Sequence, residues 1–322
     1  MDKQENQTHR ILSMYDRLCK GHVLTKKTEV DEFQVGEKTI QRDLDSIRAF
    51  LEREKINQHL EYDRKQKGYK LVMEGAPYLQ NEEILAMVKV LIESRAFPKD
   101  DMEGLINKLT DLAQPANQEF IKKLMLNEKH LYVDLQHNQS IFTLLWQLAE
   151  AVHTKCLINI RYKREHDPED SERTLKPVGL IFSEYYFYLI AYQTKRELDF
   201  PTIYRVDRIT ACHVTEEHFK VPYTDRFQEG EFRKRIQFMH AGELMTIKFR
   251  FTGPSPQAVL DRLPTARIVS KNDHGVVFEA EVFGHGIKMW LLSQGEFVEV
   301  LGPKELRGAM EKSVQGMVRK YQ

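Results

Sequence analysis

The sequence predicts a multi-domain α+β protein whose helices dominate the first half and whose strands dominate the second. Its length of 322 residues exceeds one ordinary domain and favours two or three. Apolar residues recur at helical spacing as far as His153, whereas the alternation typical of β-strands begins at Cys156. The C-terminal third mixes the two patterns. We therefore expect a mostly helical N-terminal half, a β-rich domain and a small α+β domain.

Composition limits the classes of function that the chain can have. Lys and Arg together number 48, as do Asp and Glu, so any site for an anion depends on local clustering. No run approaches the roughly 18–20 apolar residues of a membrane span, and the polar start of the chain shows no signal peptide. We expect a cytoplasmic protein without a membrane partner.

Motifs for catalysis or metal binding are missing from the sequence. Cys19, Cys156 and Cys212 are far apart and form no CxxC pair, so we expect buried, reduced thiols and no metal site. No GxxxxGK[ST], GxGxxG, HExxH or GxSxG pattern occurs. These observations predict a protein that is not an enzyme, has no catalytic residues and needs no cofactor.

The first 75 residues show the element order of a helix-turn-helix domain. Helical periodicity covers residues 8–19 and Lys26–Phe33, and a third helix follows the turn that ends at Gly36. Its apolar face carries Ile40, Leu44, Ile47 and Leu51. Two strands, at residues 56–62 and 69–73, then form a hairpin around a basic tip. This order places the third helix where a recognition helix would lie.

Nine polar side chains in this region are candidates for contacts with double-stranded DNA. The first residues of a recognition helix face the bases and supply specificity. A basic hairpin tip contacts phosphates and supplies affinity. The candidates are Lys38, Thr39, Gln41 and Arg42 on the third helix, Arg64, Lys65 and Lys67 at the tip, and Lys26 and Lys27 on the second helix. The alternative is a solvated surface, because residues 1–74 contain 15 Lys and Arg against 14 Asp and Glu.

Two segments of this region resemble a known family. VGEKTIQRDLDSIR at residues 35–48 and KGYKL at residues 67–71 are similar to the winged-helix head of bacterial DeoR-type and WYL-domain transcription factors. Those heads usually carry Ser or Thr where this chain has Gly36, and glycine is a weaker helix N-cap. The resemblance implies a winged helix-turn-helix DNA-binding domain over residues 1–75.

Residues 76–138 are predicted to form a helical connector. Apolar residues keep helical period between residues 79 and 130, with breaks near Phe97-Pro98 and at Pro115. Such helices serve either as a spacer or as a dimer contact, and a helix-turn-helix protein gains affinity by binding two half-sites as a dimer. We expect a homodimer formed through this region or through the C-terminus.

Residues 139–222 are predicted to form a small β-domain that begins with one helix. The helix covers residues 141–153, and strands fit residues 156–162, 174–182, 186–192, 203–206 and 211–214. A closed barrel is the expected arrangement, because closure removes exposed sheet edges. The last strands place Arg205, Asp207 and Arg208 near the aromatic strand around Tyr188, which favours a small basic pocket over an active site.

This β-domain resembles the WYL domain, which is an SH3-like barrel. The resemblance rests on Phe187-Tyr188-Leu189, with Pro177 upstream and YRVDRI at residues 204–209 downstream. Phe187 stands where the family has Trp. Pro201-Thr202-Ile203 departs from the basic or amide residue that many members carry before the aromatic residue.

The resemblance implies a ligand pocket formed by Ser183, Tyr188, Arg205 and Arg208. Hydroxyl and guanidinium groups suit a phosphate or a nucleotide, and Asp207 is expected to orient an arginine rather than to meet the anion. In the family, single-stranded DNA or a nucleotide-like anion is the implied effector. The alternative is structural: the charged residues form ion pairs and Tyr188 belongs to the core.

Residues 230–322 are predicted to form a small α+β domain. Strands fit residues 245–252, 276–283 and 297–301, and helices fit residues 256–263, 287–292 and the segment that begins with Pro303 at its first position. MWLLSQGEFVEVLGPKELR at residues 289–307 resembles the C-terminal extension that often follows WYL domains. That resemblance implies a role in oligomerisation or ligand coupling.

Head, WYL barrel and extension occur here in the order that the family shows, which implies a ligand-responsive DNA-binding transcriptional regulator. One alternative is a regulator whose WYL barrel is purely structural and which is controlled by abundance or by a protein partner. A second alternative is an RNA-binding or single-strand-binding protein.

Overall fold

The computed structural model describes residues 3–54, 58–73, 79–113, 115–164, 170–195, 200–220 and 227–322. The chain divides into two compact units, Met1–Leu135 and Gln136–Gln322, which we describe separately. None of the helices in these described ranges has both the length and the apolarity that crossing a membrane requires.

The first unit begins with three helices and a two-stranded antiparallel hairpin. These elements are α1 (Lys3–Cys19), α2 (Lys26–Phe33), α3 (Glu37–Arg53), β1 (Gln58–Asp63) and β2 (Gly68–Met73). Their apolar faces meet in one core of Met14, Leu18, Leu24, Ile40, Leu44, Ile47, Leu51 and Leu60. The three helices and the hairpin were predicted. Ile56, where we expected the hairpin to begin, lies outside the described residues.

Local sequence explains where two of these helices begin. The Thr25 hydroxyl accepts a hydrogen bond from the Thr28 amide at 3.2 Å and so caps α2. Helix α3 begins after Gly36, which has an extended backbone and provides no side-chain cap. The predicted weak cap is therefore present.

Three more helices complete the first unit. They are α4 (Asn81–Ser94), α5 (Lys99–Asp111) and α6 (Pro115–His130), and the breaks between them fall at the predicted prolines. Buried residues on their facing sides include Ile84, Val88, Met102, Ile106, Ile121 and Met125. Ion pairs between exposed side chains, such as Lys89–Glu128 at 2.5 Å, add contacts between α4 and α6.

The second unit begins with α7 (Phe142–Thr154) and a five-stranded antiparallel sheet. The strands are β3 (Cys156–Tyr162), β4 (Ser171–Ser183), β5 (Tyr186–Gln193), β6 (Thr202–Arg205) and β7 (Ile209–His218). Their order is β6-β5-β4-β3-β7. One face of the sheet packs on α7 through residues such as Leu148 and Ala151, both fully buried.

The predicted closed barrel is not found among the described strands, because β6 and β7 are the two edges of an open sheet. A closed barrel would need hydrogen bonds between β6 and β7. These two strands are instead joined by a 3₁₀ turn at Val206–Arg208. The sheet is nevertheless bent. In a flat five-stranded sheet the two edge strands would lie about 19 Å apart. Strand β6 ends at Arg205 and β7 begins at Ile209, and the four Cα-to-Cα steps between them reach at most about 14 Å.

The second unit ends in a four-stranded sheet covered on one face by helices. After α8 (Glu229–Arg235) come β8 (Leu244–Phe251), α9 (Pro256–Arg262), β9 (Arg267–Asn272), β10 (Gly275–Phe283), α10 (Gly286–Ser293), β11 (Val298–Gly302) and α11 (Lys304–Tyr321). The antiparallel order β11-β8-β10-β9 with this βαββαβ sequence is a ferredoxin-like arrangement. Its core includes Phe249, Phe278, Trp290 and Leu291.

The structure corrects several sequence-based expectations. Strand β9 and helix α8 were not predicted, and Val206, which we expected to end a strand, lies in a 3₁₀ turn with Asp207 and Arg208. Pro303 occupies the N-cap of α11 instead of its first helical position. Cys19 is exposed, although we expected all three thiols to be buried.

Candidate functional site

Helix α3 is held in place by a buried ion pair as well as by its apolar face. Arg10 Nε on α1 lies 2.5 Å from Asp43 Oδ2, and both side chains are almost completely buried. A second pair, Arg17–Glu29, joins α1 to α2 and also lies at 2.5 Å. Because these pairs link the three helices at fixed points, the outer face of α3 has a defined orientation relative to α2.

The predicted DNA-contacting residues of α3 lie on that outer face. Lys38 and Arg42 are exposed, while Thr39 and Gln41 are half-buried. The acidic Asp45 lies one turn further along and accepts hydrogen bonds from Gln41 Nε2 at 2.9 Å and from Arg48 Nη1 at 2.7 Å. The negative charge on this face is therefore paired, while Lys38 and Arg42 extend into solvent.

The tip of the hairpin is ordered by Asp63. Its Oδ1 accepts hydrogen bonds from the amides of Lys65 and Gln66 at 2.8 and 3.1 Å, and its Oδ2 pairs with Lys70 Nζ at 3.1 Å. These bonds, first of all the one from the Gln66 amide, lower the pKa of Asp63. The other basic side chains of the tip, at Arg64, Lys65 and Lys67, are exposed. The predicted basic tip is thus a structured turn with three outward cations.

Backbone bonds fasten the hairpin to the loop before α2. Leu24 and Tyr69 exchange two amide–carbonyl hydrogen bonds of 2.8 Å each. Gly68 allows this approach, since a Cβ there would lie 2.9 Å from the Leu24 carbonyl oxygen. The Tyr69 ring lies under Lys26 Nζ at 5.9 Å, and its hydroxyl is 3.5 Å from Gln41 Oε1. Tyr69 therefore brings α2, α3 and the hairpin together.

The sequence-predicted residues of the first unit form one set, which is carried by α2, α3 and the hairpin, three elements that meet at Tyr69. We call this set the head surface and define it as Lys26, Lys27, Lys38, Thr39, Gln41, Arg42, Arg64, Lys65 and Lys67. Sequence reasoning missed Tyr69 and Asp45, which contact Gln41 directly. Only Asp45 had a local signal, because it lies four residues after Gln41 on a predicted helix.

The candidate ligand residues of the second unit lie around Arg205 on β6. Arg205 Nε and Nη2 donate to the two oxygens of Asp207 at 3.1 and 2.7 Å, and the guanidinium carbon lies 3.4 Å from the centre of the Tyr186 ring. The Asp207 side chain is only 6% exposed. As predicted, Asp207 orients an arginine. The same bonds occupy one edge of the Arg205 guanidinium group.

Tyr188 is paired with Arg205 across strands β5 and β6 and lies on the same face of the sheet. Burial raises the pKa of its phenol to about 12. His137 completes the cluster with its ring 6.4 Å from that of Tyr186, and burial lowers the pKa of His137. The cluster is therefore aromatic and contains one paired cation.

The other two predicted pocket residues lie at its margins. Ser183 pairs with Tyr186 at the end of the β4–β5 hairpin, next to the aromatic cluster. Arg208 leaves the strand with the 3₁₀ turn, and its carbonyl accepts a hydrogen bond from the Lys163 amide at 2.9 Å. The structure thus brings Ser183, Tyr188 and Arg205 to one face of the sheet and places Arg208 in the turn beyond it.

Helix α8 covers part of that face and connects it with the C-terminal sheet. A buried cluster of Ile181, Ile190, Phe232, Ile236 and Met239 packs beneath Tyr188. On its other side, α8 stacks Phe232 on Phe283 of β10, with ring centres 5.4 Å apart. Tyr188 is therefore partly a core residue. A change in its position would also change the packing of α8 on the sheet.

A polar contact fixes the start of α8 on the same sheet. Glu229 Oε1 accepts a hydrogen bond from the Leu180 amide at 2.9 Å, beside the irregularity between Pro177 and Gly179. Gly179 makes room for it, because a Cβ there would lie 2.7 Å from the Glu229 oxygen. A larger residue would push this carboxylate away from its amide partner.

A separate cavity of about 490 Å³ lies at one end of the C-terminal sheet. Its lining residues are Arg250, Thr252, His274, Glu296, Phe297 and Glu299. Glu299 pairs with both Arg250 at 2.5 Å and Arg307 at 3.2 Å, so charges of both signs cancel there. Within the described ranges, no group of three His, Cys, Asp or Glu side chains is arranged to hold a metal ion.

Comparisons with known proteins agree with the domain order of the second unit. Residues 143–214 match the model of the WYL domain, and residues 243–318 match that of the WCX domain. The comparison with curated proteins gave no match. The second unit therefore carries a WYL domain followed by a WCX domain.

Solved structures show more distant similarity. Proteasome accessory factor B/C (PafBC) of Arthrobacter aurescens is 15% identical with a TM-score of 0.29, over 97% of this chain and 46% of PafBC. A CRISPR Cas-related protein is also 15% identical with a TM-score of 0.37, over 80% of this chain and 74% of that one. The chain spans less than half the length of PafBC. The assignment rests on the two matched domains and not on these overlays.

Proposed function

We propose that the protein is a DNA-binding transcriptional regulator whose WYL domain senses a nucleic-acid or nucleotide-like anion. One observation carries this proposal. The head surface combines exposed cations of α3 with those of the hairpin tip, in a chain that also carries WYL and WCX domains. In this role residues 1–75 form a winged helix-turn-helix domain, and the proposed activity is not enzymatic.

The division of labour follows from the geometry of the head surface. Lys38 and Arg42 lie near the N-terminus of α3. In a recognition helix, the N-terminal residues are the ones that contact the bases. Arg64, Lys65 and Lys67 on the tip suit phosphate contacts, which supply affinity that falls with salt. Contacts from α3 would then supply the preference for one sequence.

Homodimerisation would place two such helices in successive major grooves. The last helix supports this part of the proposal. Leu306 and Met310 at its start pack into the C-terminal core, but the same line continues as an exposed apolar stripe. Its members, Val314, Met317, Val318 and Tyr321, are each at least 47% exposed. A stripe of this kind is typical of a protein interface.

The sensing step requires different affinities of the effector for DNA-competent and incompetent arrangements. By reciprocity, DNA must then change the affinity for the effector by the same factor. Helix α8 is suited to transmit occupancy within the second unit, because it contacts both the face that carries Tyr188 and the C-terminal sheet.

The experiment is fluorescence anisotropy of the full-length protein on duplex DNA from upstream of its own gene, with and without a short single-stranded oligonucleotide. Replacing Lys38 and Arg42 with Ala should abolish sequence-specific binding without unfolding the protein, since both side chains are exposed. Arg53→Ala is the matched control, because this cation is also exposed but lies at the far end of α3. Retained specificity in the double variant would contradict the role of α3.

Replacing Arg205 and Arg208 with Ala should spare binding to duplex DNA but remove the response to the oligonucleotide. Arg161→Ala is the control, an exposed arginine on β3 of the same sheet. An unchanged response would show that these arginines do not form the effector site.

The second candidate function, a regulator with a purely structural WYL domain, has one specific observation in its favour. Asp207 already holds one edge of Arg205 in a two-bond ion pair. Under this alternative, duplex binding by the wild-type protein would be indifferent to every oligonucleotide and nucleotide tested. Control by abundance or by a protein partner would then take the place of sensing.

The RNA-binding alternative has less support. Sheets that bind RNA typically present aromatic residues on which bases stack. The open face of the C-terminal sheet instead presents charged residues in pairs, such as Arg267–Glu279. Preferential binding of single strands by a protein that lacks its head would favour this alternative.

A further inference from the structure

Gln41 is the only amide side chain that we placed on the head surface, and both ends of its amide have a partner. Its Nε2 donates to Asp45 Oδ1 at 2.9 Å, and the Tyr69 hydroxyl lies 3.5 Å from its Oε1. Asp45 is itself fixed by Arg48 at 2.7 Å. The amide is therefore held between the hairpin and the next turn of α3.

An amide group has more hydrogen-bonding capacity than these two contacts use. Its oxygen accepts two hydrogen bonds and its NH₂ group donates two. Within the described part of the chain, one position at each end remains, which gives Gln41 one acceptor and one donor for a DNA base. Adenine presents the complementary pair in the major groove, with N7 as acceptor and N6–H as donor.

We propose that Gln41 recognises an adenine in the major groove and that Asp45 orients its amide for this base. The inference rests on the proposed DNA-binding function and names the base that α3 selects. Asp45 decides the orientation because an ionised carboxylate only accepts hydrogen bonds. If the amide turned over, its oxygen would face the Asp45 carboxylate and the two acceptors would repel each other.

This fixed orientation discriminates between the purines. Guanine presents two acceptors, O6 and N7, so the Gln41 oxygen would face one of them without a hydrogen bond. The Tyr69 hydroxyl can either donate or accept, so it tolerates both orientations and only limits the position of the side chain. Asp45 is thus the positioning residue, and Gln41 makes the contact.

The test uses the full-length protein and duplex DNA alone. Selection from random duplexes first defines the preferred site, and anisotropy titrations then compare all four bases at each position of that site. We expect one position in each half-site at which adenine binds roughly 5- to 150-fold more tightly than guanine. Gln41→Ala should reduce that ratio to about one and leave the other positions unchanged.

A second variant separates orientation from contact. Asp45→Asn presents a group that both donates and accepts, so the Gln41 amide can turn over and the ratio of adenine to guanine affinity should fall at the same position. Total affinity can rise in this variant because a negative charge is removed, so the ratio is the readout. Gln257→Ala is the matched control, since Gln257 Nε2 also donates to an aspartate, Asp261, at 2.9 Å one turn away on α9.

The outcomes distinguish this inference from the function on which it rests. If the wild-type protein selects no sequence, the proposed sequence-specific DNA binding fails and the inference with it. If the protein selects a site but Gln41→Ala keeps every base preference, the inference is overturned and the function stands. Loss of a preference for a base other than adenine, or an unchanged ratio in Asp45→Asn, would also overturn the corresponding part of the inference.

Discussion

Replacing Asp43 with Ala should destabilise the N-terminal head far more than replacing any exposed carboxylate on the same helices. Asp43 is fully buried and pairs with Arg10, which is only 7% exposed. The variant would leave the Arg10 cation buried without its partner. Breaking a buried pair in this way typically costs about 3–5 kcal/mol.

The structure narrows that range to its lower end. Asp43 Oδ1 has no hydrogen-bond partner among the described residues, so the native pair is not fully compensated. We expect a loss of about 3 kcal/mol for Asp43→Ala. The control is Asp16→Ala, because Asp16 pairs with Lys20 at 2.6 Å but both side chains are about 60% exposed. Exposed pairs one turn apart contribute only about 0.3–0.5 kcal/mol.

Hydrogen exchange of the α3 amides, measured by mass spectrometry on the full-length protein, isolates the effect. A loss of about 3 kcal/mol speeds exchange through opening of the head by roughly 100-fold. The double variant with Arg10→Met and Asp43→Leu should recover most of the protection, because an apolar pair can replace a buried ion pair. Equal effects of Asp43→Ala and Asp16→Ala would refute the reasoning.

Three further predictions follow from close contacts and burial. Gly68→Ala should lower the stability of the N-terminal head by about 1–3 kcal/mol, because the new Cβ would press on the Leu24 carbonyl. Faster hydrogen exchange of the β2 amides and weaker binding to duplex DNA would show this loss. Gly179→Ala should lower the melting temperature of the second unit, whereas Gly230→Ala in α8 has open space and should raise it slightly. Burial lowers the pKa of His137, so the unfolded chain binds a proton more readily and stability should fall as the pH drops below about 6.5. Thermal unfolding at pH 7.5 and 5.5 would measure this loss, and the His137→Gln variant should lack the part of it that His137 causes.

Helix α3 could be predicted from the sequence because its determinants are local. Ile40, Leu44, Ile47 and Leu51 repeat at helical spacing, and all four are at most 2% exposed in the structure. A helix with one apolar stripe has only one face that it can bury. The opposite face, with Lys38 and Arg42, could therefore be assigned to solvent from the sequence alone.

The contacts that build the two candidate sites could not be predicted in the same way. Tyr69 and Gln41 are 28 residues apart, and nothing in the local sequence of either residue indicates the other. The edge strand β9 has six exposed residues and so lacks the alternation by which strands are recognised. The prediction of a closed barrel was wrong. The 3₁₀ turn at Val206–Arg208 that joins the two edge strands depends on their positions in the folded sheet and not on its local sequence.

The Arg205–Asp207 pair sets a condition on any effector of the WYL domain. A phosphate that binds the edge of Arg205 facing Asp207 must displace a carboxylate that is only 6% exposed. A single phosphate group would exchange one anion for another and gain little, since both accept the same two hydrogen bonds. A ligand that also stacks on the aromatic residues near Tyr186, or that reaches Arg208 in the turn, gains contacts that Asp207 does not offer. If the WYL domain senses an anion as proposed, a nucleotide or an oligonucleotide should therefore bind it more tightly than a simple phosphate does.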